Sequence, residues 1–224
     1  MMFVKEPVPG SVKTRLQTHL SPGEAAELYS AFIADSATTL ARTKAHRKVI
    51  AYTPASGLEA VRDLLAETAA TEFEYVPQPD ADLGQRMEQL FRDRFEEGVE
   101  QVVVVGSDSP SLPSSIVDEA FSLLGVHPLV LGPSVDGGYY LLGQSSPDDR
   151  VFSDVDWSTG HVLEQTLGKV QDRALGLLPP WYDVDSPAGA AFLKVHLQAI
   201  RKAGGHQGEF SLRVLNRLQL PSPS

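Results

Sequence analysis

The sequence predicts an α/β fold, helices packed on a sheet, and three observations predict it. Short apolar, β-branched runs alternate along the chain with longer segments of helical period. One run, Gln101-Val102-Val103-Val104-Val105-Gly106, is so uniformly apolar that it reads as a strand buried on both faces at the sheet's centre. Helix-start signals stand where the periodic segments begin, as in Ser21-Pro22-Gly23-Glu24, with an N-cap serine, a proline at the first helical position and a capping-box glutamate.

Taken in order, strands are expected at Met1 to Val4, Val49 to Tyr52, Phe73 to Val76, Gln101 to Gly106, Leu129 to Leu131, Tyr139 to Leu142 and Leu175 to Leu178. The first helix runs from Pro22 to about Arg42, and Ala25, Leu28, Tyr29, Phe32, Ile33, Ala37 and Leu40 form its buried stripe. Ser56-Gly57-Leu58-Glu59 reads as a second capping box ahead of Val61, Leu64 and Leu65. Further helices are expected at Leu83 to Glu97, Pro113 to Leu124, Ser158 to Lys169, Pro187 to Lys202 and Ser211 to Leu218. Residues 1–220 read as one domain, and the final Pro221-Ser222-Pro223-Ser224 as a disordered tail.

Bulk composition removes several classes. Hydrophobic residues make up 42% of the 224 and charged residues 21%, and no apolar run reaches the length of a bilayer span. No secretory signal is present at the start, which gives the expectation of a cytoplasmic protein. With no cysteine, thiolate nucleophiles, disulfides and thiolate zinc sites drop out. A formal net charge of −10 argues against nucleic acid as a partner and leaves a small anionic ligand held in a local basic pocket. The six histidines show no metal-ligand spacing, and no Gly-x-Ser-x-Gly elbow is present.

Four stretches can carry chemistry. Lys5 to Leu16 is a Pro/Gly-rich loop leaving the first strand, in which Lys5, Lys13 and Arg15 can converge on a phosphate chain; Val12 stands where a Walker A loop requires glycine. Gly106-Ser107-Asp108-Ser109-Pro110 follows the central strand, and a carboxylate at the carboxyl edge of an open sheet can hold a divalent cation, Mg2+ or Mn2+, that bridges phosphate oxygens. Asp136-Gly137-Gly138-Tyr139-Tyr140 reads first as a tight hairpin turn, with Asp136 also available as an acceptor or base. Asp183 and Asp185 alternate along an extended segment before the Ser186-Pro187 helix start, as candidates for a second metal ligand. Gly84 and Arg86 can add to a pocket, and Trp157 either caps a helix or touches an acceptor.

Together, Lys-x-Pro-x-x-Gly-x-Val-Lys-Thr-Arg-Leu, Asp-Leu-Gly-Gln-Arg-Met, Gly-Ser-Asp-Ser-Pro, Leu-Gly-Pro-x-x-Asp-Gly-Gly-Tyr-Tyr-Leu-Leu-Gly, Trp-Ser-Thr and Asp-Val-Asp-Ser-Pro, spread from Met1 to Leu193, resemble a bacterial family of GT-A-type transferases. Its members are described as glycosyltransferases or nucleotide-diphospho-sugar transferases, and more distantly it is similar to molybdopterin guanylyltransferase and phospholactate guanylyltransferase. The resemblance implies a three-layer sandwich with a mostly parallel central sheet and a nucleotide-activated donor. It also implies that Lys5, Gly10, Lys13 and Arg15 line the nucleotide phosphates. Asp108 would hold the metal, with Asp185 the better placed of the two late carboxylates to join it. Asp136, Gly137, Gly138, Tyr139 and Tyr140 would border the small-molecule acceptor. Glycosyl transfer, nucleotidylyl transfer with pyrophosphate release, and nucleotide binding without turnover are the three functions consistent with these residues.

Overall fold

The computed structural model describes residues 1–66, 68 and 72–221. Of the expected tail, residues 222–224 lie outside the described residues. Seven strands, β1 (Met2–Lys5), β2 (Val49–Thr53), β3 (Glu74–Pro77), β4 (Val102–Val105), β5 (Leu129–Pro133), β6 (Tyr139–Gln144) and β7 (Leu175–Leu177), make one sheet of order β3-β2-β1-β4-β6-β5-β7. β6 is antiparallel to both its neighbours, and the remaining pairs are parallel. Four residues of β4 are buried because the strand is central and helices cover both faces.

Seven α-helices, α1 (Pro22–Arg42), α2 (Leu58–Leu65), α3 (Leu83–Glu96), α4 (Ser114–Leu124), α5 (Val162–Lys169), α6 (Pro187–Lys202) and α7 (Glu209–Leu215), and three short 3-10 helices complete the described elements. The two-residue period of β4 divides them into layers. Val103 and Val105 point into a core shared with α1, α2, α4, α6 and α7, where Phe32, Ile33, Val117, Leu193 and Leu215 are buried. Val102 and Val104 point to the opposite core, built with Met87 and Phe91 of α3, Val151 and Phe152. The Phe91 and Phe152 rings lie 5.4 Å apart, a tilted pair that adds to their burial.

Local chemistry accounts for the helix starts. Ser21 accepts from the Glu24 amide while the Glu24 carboxylate accepts from the Ser21 amide, and Ser186 caps α6 through the Gly189 amide. The second capping box does not form. Residues 55–57 make a 3-10 turn, which places Ser56 inside the turn, and Gly57 becomes the N-cap without a side-chain bond. The helix expected from Ser158 begins at Val162, because Ser158 takes a left-handed conformation at φ 63° that no α-helix accommodates. The last helix starts two residues earlier than expected, at Glu209. There Asp35 of α1 accepts from the amides of Phe210 and Ser211 and from the Ser211 hydroxyl, so a carboxylate from another element caps it.

Candidate active site

The chain collects its polar side chains along the carboxyl edge of β1 and β4. β1 ends at Lys5, and the amide there donates to the Tyr29 hydroxyl. The following loop turns at Gly10 (φ 82°), and the buried Val12 and Leu16 pin it to the core. Lys13 lies between them in a left-handed conformation, φ 46° and ψ 44°, and the next five residues form a 3-10 helix.

That conformation aims the Lys13 ammonium inward. Its side chain is 5% exposed, and Nζ lies 2.7 Å from Asp108 Oδ1 and 2.6 Å from Asp185 Oδ1 and donates to the Val184 carbonyl at 2.9 Å. Tyr29 and Phe32 each present a ring 5.7 Å from the same nitrogen. Burial alone would lower the lysine pKa; Asp108 and Asp185 reverse that and hold it above the ordinary lysine range. Asp108 follows β4 directly, and Asp185 arrives from a segment far along the chain. That segment is threaded into place by backbone bonds: Trp181 N to Pro133 O, Val135 N to Trp181 O and Val184 N to Asp108 O.

Above this ion cluster opens a cleft of about 550 Å³. Lys5 and Gln78, past β1 and β3, line it with Arg15 and Arg86, and Asp136 and Tyr139, between β5 and β6, line it with Trp157 and Asp183, while Asp108 follows the intervening β4 and is joined by Asp185. Lys5 Nζ donates to the Ser11 carbonyl and Arg15 lies 3.6 Å from Asp185. Arg86 donates to the Gln78 side-chain oxygen and to Ala81 O. The hairpin expected at Asp136-Gly137-Gly138 forms, joining β5 to β6, and Asp136 accepts from the Gly138 amide. Asp183 accepts from Ser134 Oγ at 3.0 Å; burial first, then Asp136 and Asp185, push its carboxyl above the usual range. Tyr140 lines the cleft while its hydroxyl donates to Pro179 O.

Several placements differ from the reading of the sequence. Lys13 does not stand on the cleft wall beside Lys5 and Arg15, because its ammonium is engaged beneath by the two carboxylates. Asp183 faces Ser134 and stays outside the Asp108–Lys13–Asp185 cluster. Gly10, Gly84 and Gly137 do not line the cleft: Gly10 makes an exposed turn, Gly84 seats Trp157, and Gly137 packs on Gly160. Tyr29 and Gln78 went unrecognised as polar parts of the site. Tyr29 reads as one more member of an apolar helical stripe, yet its hydroxyl bonds Ser107 Oγ at 2.9 Å, and burial pushes its pKa up to about 12. Gln78 is buried just past β3 and donates to the Ala51 carbonyl; a lone amide at a strand's carboxyl end was the available signal.

Asp108 and Asp185 are the residues of this cleft that would hold a hard divalent cation. Two carboxylates from different loops converge on one point at the cleft floor, 44% and 37% exposed, and each keeps an oxygen clear of Lys13. Among the described residues no group of three or more His, Cys, Asp or Glu is arranged to hold a metal. Magnesium requires no more than one or two carboxylates when phosphate and water complete its shell.

Fold and cleft together define the GT-A-like class of α/β proteins, a seven-stranded, mostly parallel central sheet with helices on both faces and a polar cleft at the strands' carboxyl edge. The chain belongs to the family described as "Uncharacterized protein conserved in bacteria (DUF2064)", whose model matches residues 36–159. It is 32% identical to a "putative nucleotide-diphospho-sugar transferase" from Desulfovibrio desulfuricans G20, over 96% of this chain and 92% of that one, with a TM-score of 0.83. Two further solved structures share the fold at 11% identity. One is a cytidylyltransferase from Leptospira borgpetersenii, with a TM-score of 0.53 over 98% of this chain and 97% of that one. The other is CMP:2-keto-3-deoxy-manno-octonic acid synthetase, complexed with CTP, with a TM-score of 0.51 over 90% and 97%. No protein of curated function matches the chain. Among the described residues no helix is long and apolar enough to cross a membrane.

Proposed function

We propose that the protein is a transferase acting on a nucleotide-activated donor, and that the group transferred is glycosyl, from a nucleoside diphosphate sugar to a small-molecule acceptor. The observation that carries this reading is the Asp108–Lys13–Asp185 cluster at the floor of the cleft, where the sheet's carboxyl edge meets three basic side chains. Open α/β sheets bind their ligands at that edge. The donor's base and ribose are assigned to the end lined by Val4, Thr53, Gln78 and Arg86, and its diphosphate to Lys5 and Arg15. A divalent cation on Asp108 and Asp185 supplies, when bound, charge neutralisation for the leaving diphosphate. Lys13 fixes the two carboxylates toward each other. Asp136, on the opposite wall, is the acceptor-side base, with Gly138, Tyr139, Tyr140 and Trp157 bordering the acceptor. The likeness to the Desulfovibrio protein supports a nucleotide-sugar donor.

A second reading is nucleotidylyl transfer, in which the acceptor attacks the α-phosphate of a nucleoside triphosphate. Lys5, Arg15 and Arg86 around one end of the cleft favour it, since a triphosphate brings more charge to neutralise. Thermal shift against nucleoside triphosphates, diphosphates and nucleotide sugars, with and without Mg2+ or Mn2+, separates the readings, because a ligand of the native state raises its melting temperature. A metal-dependent shift with a nucleotide sugar is expected and is lost in Asp108→Ala. A shift confined to triphosphates favours the second reading, and an unchanged response in Asp108→Ala removes the metal assignment.

A further inference from the structure

The two ends of the cleft differ in charge, and the difference bears on the acceptor. Of the basic side chains that line it, Lys5 and Arg15 follow β1, and Arg86 of α3 donates to Gln78 just past β3. Of the lining residues between 134 and 142, between 157 and 162, and at 183, none is Lys, Arg or His. That end carries two carboxylates, Asp136 and Asp183, with Asp185 adjoining. The buried lysine beneath does not compensate, because one ammonium is shared between two carboxylates.

What the acidic end offers instead is a surface for a ring bearing hydroxyls. Trp157 and Tyr139 stand edge to face, 6.2 Å apart, and both line the cleft. Gly84 holds the indole in position, since a Cβ there would come 2.3 Å from Trp157 Nε1. Aromatic rings give apolar contact to the C–H faces of a sugar-like molecule, and carboxylates accept from its hydroxyls. The exposed hydroxyl of Ser158 adds a donor and acceptor at the same end, whereas that of Thr159 already donates to Asp156 O.

Resting on the proposed transferase reading, we infer that the acceptor presents hydroxyl groups to Asp136 and Asp183 and bears no phosphate or carboxylate. An anionic acceptor would place its charge against Asp136 and Asp183, since Arg15 is engaged at Asp185 and the divalent cation is assigned to the donor diphosphate, and like-charge juxtaposition suppresses wrong partners. A sugar-like hydroxyl compound satisfies the same carboxylates by hydrogen bonds.

Saturation-transfer NMR on the full chain tests this with methyl α-glucopyranoside, methyl α-mannopyranoside and the corresponding sugar 6-phosphates, with Mg2+ present. The neutral glycosides are expected to bind at least about ten-fold tighter than the phosphates, and Asp136→Asn together with Asp183→Asn is expected to narrow that ratio. Equal or tighter binding of the phosphates overturns the inference, as does absence of glycoside binding. A parallel thermal-shift arm with nucleotide sugars and Mn2+ reports separately on the donor site. Failure in that arm alone counts against the transferase reading, and failure in the glycoside arm alone counts against the acceptor class.

Discussion

The Lys13 ammonium lies 2.7 Å from the Asp108 carboxylate, joining a cation whose side chain is 5% exposed to an acid that is 44% exposed. The lysine therefore belongs to the interior and the aspartate to the cleft. Replacing Lys13 with Met leaves Asp108 and Asp185 without their shared counterion. The variant is expected to lose about 1–3 kcal/mol of stability, below the range for fully buried pairs because the carboxylates are partly solvated. Added Mn2+ should then raise its melting temperature more than that of the wild type. An equal response of the two proteins to the metal would contradict the view that ammonium and divalent cation share these carboxylates.

Gly84 in the first turn of α3 is there for Trp157. A Cβ would meet the indole nitrogen at 2.3 Å and the Phe152 carbonyl at 2.8 Å, and backbone cannot move aside as a flexible side chain does. Gly84→Ala is expected to cost about 1–3 kcal/mol and to displace the indole. Urea unfolding followed by tryptophan emission reads both effects, and an unchanged native spectrum with unchanged midpoint refutes the packing argument.

At the hairpin tip, Gly137 has φ +93°, and an added Cβ would stand 2.1 Å from the Gly160 carbonyl oxygen. Leu163 N also donates to Gly137 O at 2.9 Å, tying the tip to the first turn of α5. Gly137→Ala meets both left-handed strain and a backbone clash, so a loss of about 2–4 kcal/mol is expected. Amide exchange at Leu163 should quicken in the variant, and retained protection there would show that the contact is not a constraint.

Asp35 predicts a pH dependence. Burial pushes its carboxyl up to about 6, against the opposing pull of the bonds from Ser211 and Phe210. A folded-state pKa above the unfolded value means the native state binds the proton more strongly. The associated stability is fully present below about pH 4 and is lost as pH rises through about 6. Compared with Asp35→Asn, the wild type should therefore lose about 2–3 kcal/mol between those pH values, read as the change in the difference between the two unfolding curves. A flat difference across that window would place the carboxyl at its ordinary value.

Much of the fold was legible in the sequence because its signals are local. All seven strands fall within two residues of their expected ends, since each is a short apolar run bounded by turn chemistry. Pro22 and Pro187 start their helices after Ser21 and Ser186, where hydroxyl and proline act within one turn. Ser56 misled for the converse reason. Its pattern is that of a cap, but a 3-10 turn reached Leu58 first, and choosing between the two depends on how the chain leaves β2. The start of α5 differs from the expected one because Ser158 takes a left-handed conformation that its side chain does not announce.

By itself the sequence determined the alternation of strands and helices, the burial of β4 and the position of Asp108 immediately after it, because periodicity and turn residues act over a few positions. Tertiary structure decided the rest. It carried Asp185 across 77 positions of chain to share Lys13 with Asp108, and gave that lysine a left-handed backbone and two aromatic neighbours. It turned Asp183 toward Ser134 and segregated positive from negative side chains at the two ends of the cleft. Electrostatic partners are set by distance in space, and burial, which fixes how strongly they act, exists only once the layers have packed.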